Sequence, residues 1–298
     1  MSEKKDITGW LVLDKPLGMS SAQAVGKVKH LLHPQKIGHA GTLDPLASGV
    51  LPLALGKATR TVSYVMDGHK KYRFEITFGK ATTTDDAEGE IIKTSSKLPT
   101  EEEIRQILPQ FTGKIKQTPP IYSALKVNGK RAYALARQGE EFHLSEREIE
   151  IFVLNFIEKS AIDKAILDVE CSKGTYVRSL GRDIAEKLGS VGHISYLRRT
   201  KSGKFEEKDA ISLEKLEKII YGKNQEQFLI PIETVLSDIL ELAVSRKEAL
   251  ALSQGQVLKN RSNLKNGFYK AIFEGMLIAF VDVDTDFVRP TKVFKQNF

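Results

Sequence analysis

The chain has 298 residues, 41% of them hydrophobic, and its 45 Lys and Arg outnumber its 38 Asp and Glu for a formal net charge of +7. That length and apolar content support a sizeable core with room for a second, smaller domain, and the basic balance favours a polyanionic partner. One cysteine, Cys171, excludes an internal disulfide framework and a cysteine-based zinc site, and with no signal-peptide pattern in MSEKKDITGW and no apolar run of membrane-span length, a cytoplasmic protein is expected.

In chain order, GWLVLDKP reads as a short buried strand ended by Pro16. SSAQAVGKVKHLLH follows as a helix capped by Ser20 or Ser21, with Ala22, Val25, Val28, Leu31 and Leu32 on one side. GHAGTLDPLASG reads as loop, because Gly38, Gly41 and Gly49 favour it and the residue before Pro45 is pushed toward extended geometry; Asp44 is therefore expected on a rigid loop. KKYRFEITFG alternates as a strand, with Tyr72, Phe74, Ile76 and Phe78 on one face. TEEEIRQILPQF opens with Thr100 and Glu103 at capping-box spacing and predicts a helix ending near Pro109. VNGKRAYALARQG predicts an Asn128-Gly129 turn and a short basic helix closed at Gly139, a segment with few apolar anchors that should project. EIEIFVLNF and KAILDVECS are strands, TYVRSLGRDIAEKLG a helix, HISYLRRTKSG another strand. After about Pro231, SRKEALALSQG is a capped helix and FYKAIFEGMLIAFVDVD two strands around Glu274-Gly275, so the tail reads as a small β-rich domain. Strands outnumber helices, which makes the class α+β.

The distribution of acids singles out one residue. Asp44 is the only Asp or Glu from Lys15 through Met66, a stretch that at the chain average would hold six or seven. The same stretch carries Lys15, Lys27, Lys29, Lys36, Lys57 and Arg60, with His30, His33 and His39. A lone Asp in a Gly-rich loop is commonly a turn former, but one carboxylate kept in a field of cations suits a nucleophile facing an anionic substrate. His39 is either a substrate contact or a solvated loop histidine. Gly56-Lys57 lacks the following Ser or Thr and the earlier glycine of a phosphate loop, so that reading is rejected. Gly18-Met19-Ser20-Ser21-Ala22 nearly matches a nucleophile elbow but serves equally as a helix start. His30 and His33 have no third ligand by spacing, and no metal is expected. Arg178 opens a helix, where the dipole slightly disfavours a cation, so a carboxylate partner is expected: Asp44, or an ordinary salt bridge to Asp183 or Glu186. Taken locally, Tyr72 and Tyr176 read as core aromatics.

Besides GHAGTLDPLASGVLP, the chain holds DKPLGMSS, KKYRFEITFGKATTTDD, PPIYSALKVNGKRAYALARQG, GTYVRSLGRDI and YLRRTKSGKF in one order. In these motifs, over roughly the first 230 residues, it resembles the TruB family, the bacterial tRNA pseudouridine-55 synthases. The resemblance implies a pseudouridine synthase fold: a large mixed, mainly antiparallel sheet flanked by helices in residues 1–230, with an RNA clamp at about 124–150, and a small β-rich RNA-binding domain resembling PUA in 231–298. It implies isomerisation of the uridine at position 55 in the TΨC arm of tRNA, by a monomer that needs no cofactor because no atom is gained or lost. Asp44 would be the nucleophile, Arg178 its ion-pair partner, and Tyr72 the aromatic stacked on the flipped base. His39, Tyr176, Leu197 and Lys15 would contact the substrate, and Lys126, Lys130, Arg131 and Arg137 would clamp the RNA arm. The runner-up is a non-catalytic tRNA-binding protein or folding chaperone on the same scaffold, against which the intact Asp44, Tyr72 and Arg178 argue; an acyl hydrolase rests on Ser20 alone.

Overall fold

The structure is a computed structural model that describes residues 4–127, 129–140, 142–220, 228–260 and 264–294. In chain order the large sheet takes β1 (Gly9–Lys15), β2 (Ile37–His39), β3 (Ala47–Leu55) and β4 (Lys70–Phe78). A separate hairpin, β5 (Lys80–Thr82) and β6 (Ile91–Thr94), precedes β7 (Gly113–Gln117). The short pair β8 (Lys126–Val127) and β9 (Lys130–Arg131) then leads to β10 (Arg147–Ala161), β11 (Lys164–Cys171), β12 (Gly192–Ser202) and β13 (Phe205–Glu206). The strand order is β1-β3-β12-β4-β11-β10-β7, with β2 added to β3 and β13 to β12. Only β3 and β12 pair in parallel, so the sheet is mixed and mainly antiparallel, as expected.

Alternation along the strands decides what each face meets. Leu11 and Leu13 of β1, Leu51, Leu53 and Leu55 of β3 and Phe74, Ile76 and Phe78 of β4 form one core with the apolar stripes of helices α1 (Ser21–Leu32), α3 (Glu101–Ile107), α5 (Val177–Lys187) and α6 (Leu213–Ile220). Each of these fully buried side chains contributes about 1.5–3 kcal/mol. Ser20 caps α1 in a reciprocal box with Gln23. The buried stripe of α1 is Ser21, Ala24, Val28 and Leu32, one step round from the expected one: Ala22 is exposed, and Val25 and Leu31 only flank the core.

On the opposite face, Trp10, Val12, Val50 and Ala54 pack with Val65 of α2 (Val62–Asp67), Ile232 and Val235 of α7 (Ile232–Val235), and Leu277 and Phe280 of the C-terminal unit. That unit is a five-stranded sheet of β14 (Leu240–Ala243), β15 (Leu258–Lys259), β16 (Gly267–Phe273), β17 (Met276–Val283) and β18 (Phe287–Val293), ordered β14-β16-β17-β18-β15, with α8 (Arg246–Ser253) packed on it. Further along the large sheet the outer face is polar: Arg73 pairs with Asp168 and Lys71 with Glu170 across β4 and β11. Those two cations are thereby paired.

Candidate active site

The loop expected around Asp44 is shorter than its glycines suggested, because Gly38 lies in β2 and Gly49 in β3. The apolar run VLPLAL overrides loop propensity, since both faces of β3 are buried. The remaining turn is gripped from three sides. Ser21 Oγ donates to the Leu43 carbonyl at 2.9 Å and accepts from the Leu43 amide at 2.8 Å. The Arg199 guanidinium reaches the carbonyls of Gly41 at 3.1 Å and Thr42 at 3.4 Å. Lys15 Nζ donates to the carbonyls of Pro16, Met19 and Pro45. Every grip falls on backbone or on Ser21, which leaves the Asp44 side chain free to face outward.

Arg178 makes its ion pair with Asp44, Nη2 to Oδ2 at 3.0 Å, and takes no part in the salt bridge considered for Asp183, which Arg182 occupies at 2.9 Å. Arg178 is 5% exposed and Asp44 38%. The guanidinium also donates to the carbonyls of Thr84 and Tyr122, each at 2.9 Å, and stands 3.6 Å from Asp86. A cation so enclosed is expensive to bury, and pairing within one helix would have held it at lower cost. The arrangement holds the Asp44 carboxylate beside a fixed guanidinium.

Asp44, Arg178, Tyr72, Tyr176 and Leu197 line one cavity of about 310 Å³ at the centre of the sheet, where β3, β12 and β4 lie side by side. Tyr72 and Leu197 come from adjacent strands, and Tyr176 is the residue before α5. Burial raises both tyrosine pKa values, so the phenols stay neutral. Asp44 is the single acid among the lining residues, whereas Lys70, Lys173, Arg178 and Arg199 line the same cavity. The cavity thus holds one carboxylate from the acid-free stretch among four cations that come from outside it, which suits nucleophilic attack on an anionic substrate.

Two residues of this cavity escaped the sequence reading. Lys70 is buried, donates to the carbonyls of Met66 and Gly68, and burial pushes its pKa down to about 8. Arg199 is buried and holds the carbonyls of Val50, Thr42 and Gly41. Strand alternation could have found both, since Lys70 shares a face with Tyr72 and Arg199 with Leu197.

Two expected substrate contacts lie outside the lining of this cavity. Lys15 is fully buried, and its ammonium tethers the Asp44 turn through the Pro45 carbonyl. His39 belongs to β2, paired with Leu53, and does not line the cavity either; burial lowers its pKa, helped by Arg199, and its Nδ1 is buried without a partner. Ser20, the basis of the hydrolase reading, is accounted for as the cap of α1.

Lys126, Lys130, Arg131 and Arg137 are exposed on the segment that adjoins the cavity through Ser123 and Ala124. Arg131 is spent on the Ala124 carbonyl, Lys130 pairs with Glu140 at 3.4 Å, and Arg137 lies over the Tyr133 ring. The helix here, α4 (Ala132–Arg137), buries Ala132 and Leu135, firmer anchoring than the sequence suggested. Gly129 has the positive φ of the expected turn, while Asn128 lies outside the described residues.

Residues 29–177 match the model of the TruB family pseudouridylate synthase N-terminal domain, and residues 178–237 that of the tRNA pseudouridylate synthase B C-terminal domain. The tRNA pseudouridine synthase B of Bradyrhizobium diazoefficiens is 46% identical over 300 residues, covering 98% of this chain and 87% of that protein. That of Caulobacter vibrioides is 49% identical over 252 residues, covering 85% and 81%. Among solved structures, an H/ACA RNP bound to a substrate RNA containing 2'-deoxyuridine superposes with a TM-score of 0.74 at 25% identity, covering 97% of this chain and 86% of that one. A Cbf5-Nop10-Gar1 complex gives the same TM-score at 26% identity, covering 97% and 84%.

Proposed function

The chain belongs to the TruB family of pseudouridylate synthases and is a tRNA pseudouridine synthase, an isomerase; we propose that its target is the uridine at position 55 in the TΨC stem-loop, flipped into the cavity and attacked by Asp44. The observation that carries this reading is the Asp44–Arg178 pair at 3.0 Å in a cavity with no other acid among its lining residues.

The reaction breaks the bond from base N1 to ribose C1′ and forms one from C5 to C1′. The C5 hydrogen leaves as a proton and N1 ends with one, so atoms and electrons balance without a cofactor. Asp44 acts as the nucleophile, and Arg178 stabilises and aims its carboxylate. A base inside a folded arm is out of reach, so the enzyme flips it out, at a cost of a few kcal/mol in lost stacking. Stacking on Tyr72 and contact with Leu197 offset that cost, and phosphate contacts from Lys126, Lys130, Arg131 and Arg137 add to the binding. In this reading the neutral Tyr72 phenol also relays the C5 proton.

In this reading residues 1–230 are the catalytic domain, with the clamp at about 124–150, and 231–298 an RNA-binding domain; the start of the separate sheet at Leu240 supports the division. In this reading the protein works as a monomer in the cytoplasm; among the described residues no helix is long and apolar enough to cross a membrane.

The test is incubation with an unmodified tRNA transcript tritiated at uridine C5. Release should approach one tritium per tRNA and vanish when position 55 is cytidine. Binding without release would leave the tRNA-binding protein or chaperone as the better reading, and release that persists in the cytidine variant would move the target elsewhere.

A further inference from the structure

Three polar atoms of the cavity lining, Ser123 Oγ, Thr175 Oγ1 and Arg178 Nε, are buried without a hydrogen-bond partner. Ser123 lines the cavity with Asp44 and Arg178, is 4% exposed, and its Oγ is buried without a hydrogen-bond partner. The Tyr176 phenol lies close enough to share a weak hydrogen bond with it, but no well-formed bond engages the Ser123 Oγ. The serine's backbone is fixed on both sides. Its amide donates to the Ile121 carbonyl at 3.0 Å, its carbonyl accepts from the Tyr133 amide at 3.1 Å, and the adjacent Tyr122 carbonyl holds Arg178.

A buried hydroxyl left unpaired is destabilising, and the donor is the half that proteins least often leave orphaned. What Ser123 lacks is an acceptor inside the cavity. A phosphate would be drawn to the cations and stay near solvent, whereas Ser123 sits in an interior wall. A uracil ring offers two carbonyl oxygens, O2 and O4, at that depth.

Resting on the reading that a flipped uridine enters this cavity, we propose that the Ser123 hydroxyl donates to a ring carbonyl of that uracil and sets the ring's rotation against Asp44. The chemistry gives this contact a second use. Joining C5 in place of N1 to the same ribose carbon requires the detached ring to turn about the axis through N3 and C6. That turn exchanges N1 with C5 and O2 with O4, so one donor beside the ring meets a carbonyl both before and after it. Ser123 thus holds the loose base in either orientation without blocking the turn.

The experiment compares wild type and Ser123→Ala on stem-loop RNAs carrying uridine, 2-thiouridine or 4-thiouridine at the target, with products separated after nuclease digestion. On uridine, Ser123→Ala should lower kcat/KM by about 10- to 100-fold, the effect of one lost buried hydrogen bond. RNA affinity and melting temperature should stay near wild type. Sulfur accepts weakly, so on at least one thio substrate the gap between the two proteins should shrink to within about threefold. Equal loss on all three RNAs would mean a merely structural serine, and no loss on uridine would mean no contact; either overturns the proposal. If alanine lowers the melt, Ser123→Cys, a weak donor of similar shape, carries the same comparison. Wild type failing to convert uridine itself would remove the functional reading beneath the proposal, an outcome distinct from failure of the serine alone.

Discussion

Gly49 and Arg199 face each other where β3 and β12 run parallel, so closely that a Cβ on Gly49 would stand 2.3 Å from the Arg199 carbonyl oxygen. Gly49 also has a φ of +96°, which other residues rarely adopt. The contact fixes the register that carries Asp44, Leu197 and Arg199 to one cavity. Gly49→Ala should therefore destabilise the fold by about 2–4 kcal/mol, from a strained φ and a backbone clash. Turnover should fall as well. A thermal melt and tritium release check this, and a variant like wild type in both would show that the two strands have room to separate.

Arg178→Ala should cut turnover to a few per cent of wild type or less and cost about 3–5 kcal/mol in stability, because it leaves the buried Asp86 without its cation and the Thr84 and Tyr122 carbonyls unpaired. Arg178→Lys should recover little, since one ammonium cannot span Asp44 and both carbonyls as the planar fork does. Near-normal turnover by either variant would return Arg178 to an ordinary structural salt bridge.

Most of this architecture was legible in the sequence where one signal dominated. β4 alternates strictly, α3 and α8 announce themselves by capping boxes, and the acid-free stretch marks Asp44 before any coordinates. β3 was hidden because Gly49 and Pro52 are loop signals locally, and only tertiary burial on both faces makes it a strand. The burial of Lys15 was not legible, because whether a cation meets solvent depends on the turn folded over it. The partner of Arg178 was open for a related reason: Asp44 is 134 positions away, and sequence spacing ranks only neighbours such as Asp183.

Burial lowers the Lys15 pKa to about 8, from 10.5. A lysine depressed in the folded state is charged in both states below pH 8, where its burial cost is fully felt. Between about pH 8 and 10.5 the unfolded chain binds the extra proton, so stability rises with pH. Relative to Lys15→Met, wild type should gain up to about 3 kcal/mol between pH 7.5 and 10.5, at about 1.4 kcal/mol per pKa unit. Urea unfolding of both proteins across that range measures it. A constant gap would mean that the Lys15 ammonium is as well solvated as a free one.

In the clamp, Glu140 already compensates Lys130, whereas Arg137 lies over an aromatic ring and Lys126 is exposed. Replacing Lys126 and Arg137 together by Ala should flatten the salt dependence of log affinity for tRNA by up to about 1.5 units, and replacing Lys130 alone should change it less. The melt should barely move, because exposed charges contribute little to stability. An unchanged slope for the double variant would show that this segment does not touch the phosphate backbone.

The most direct measurement is tritium release from C5-labelled tRNA by Asp44→Asn, alongside its tRNA affinity. The amide keeps the size and much of the hydrogen bonding of the carboxylate but cannot act as the nucleophile. Turnover should fall by at least about 10⁴-fold while affinity stays within a few-fold of wild type, since binding rests on the clamp and the stacking pocket. Release within about tenfold of wild type would contradict the account, because the single acid lining the cavity would then not be the group that does the chemistry.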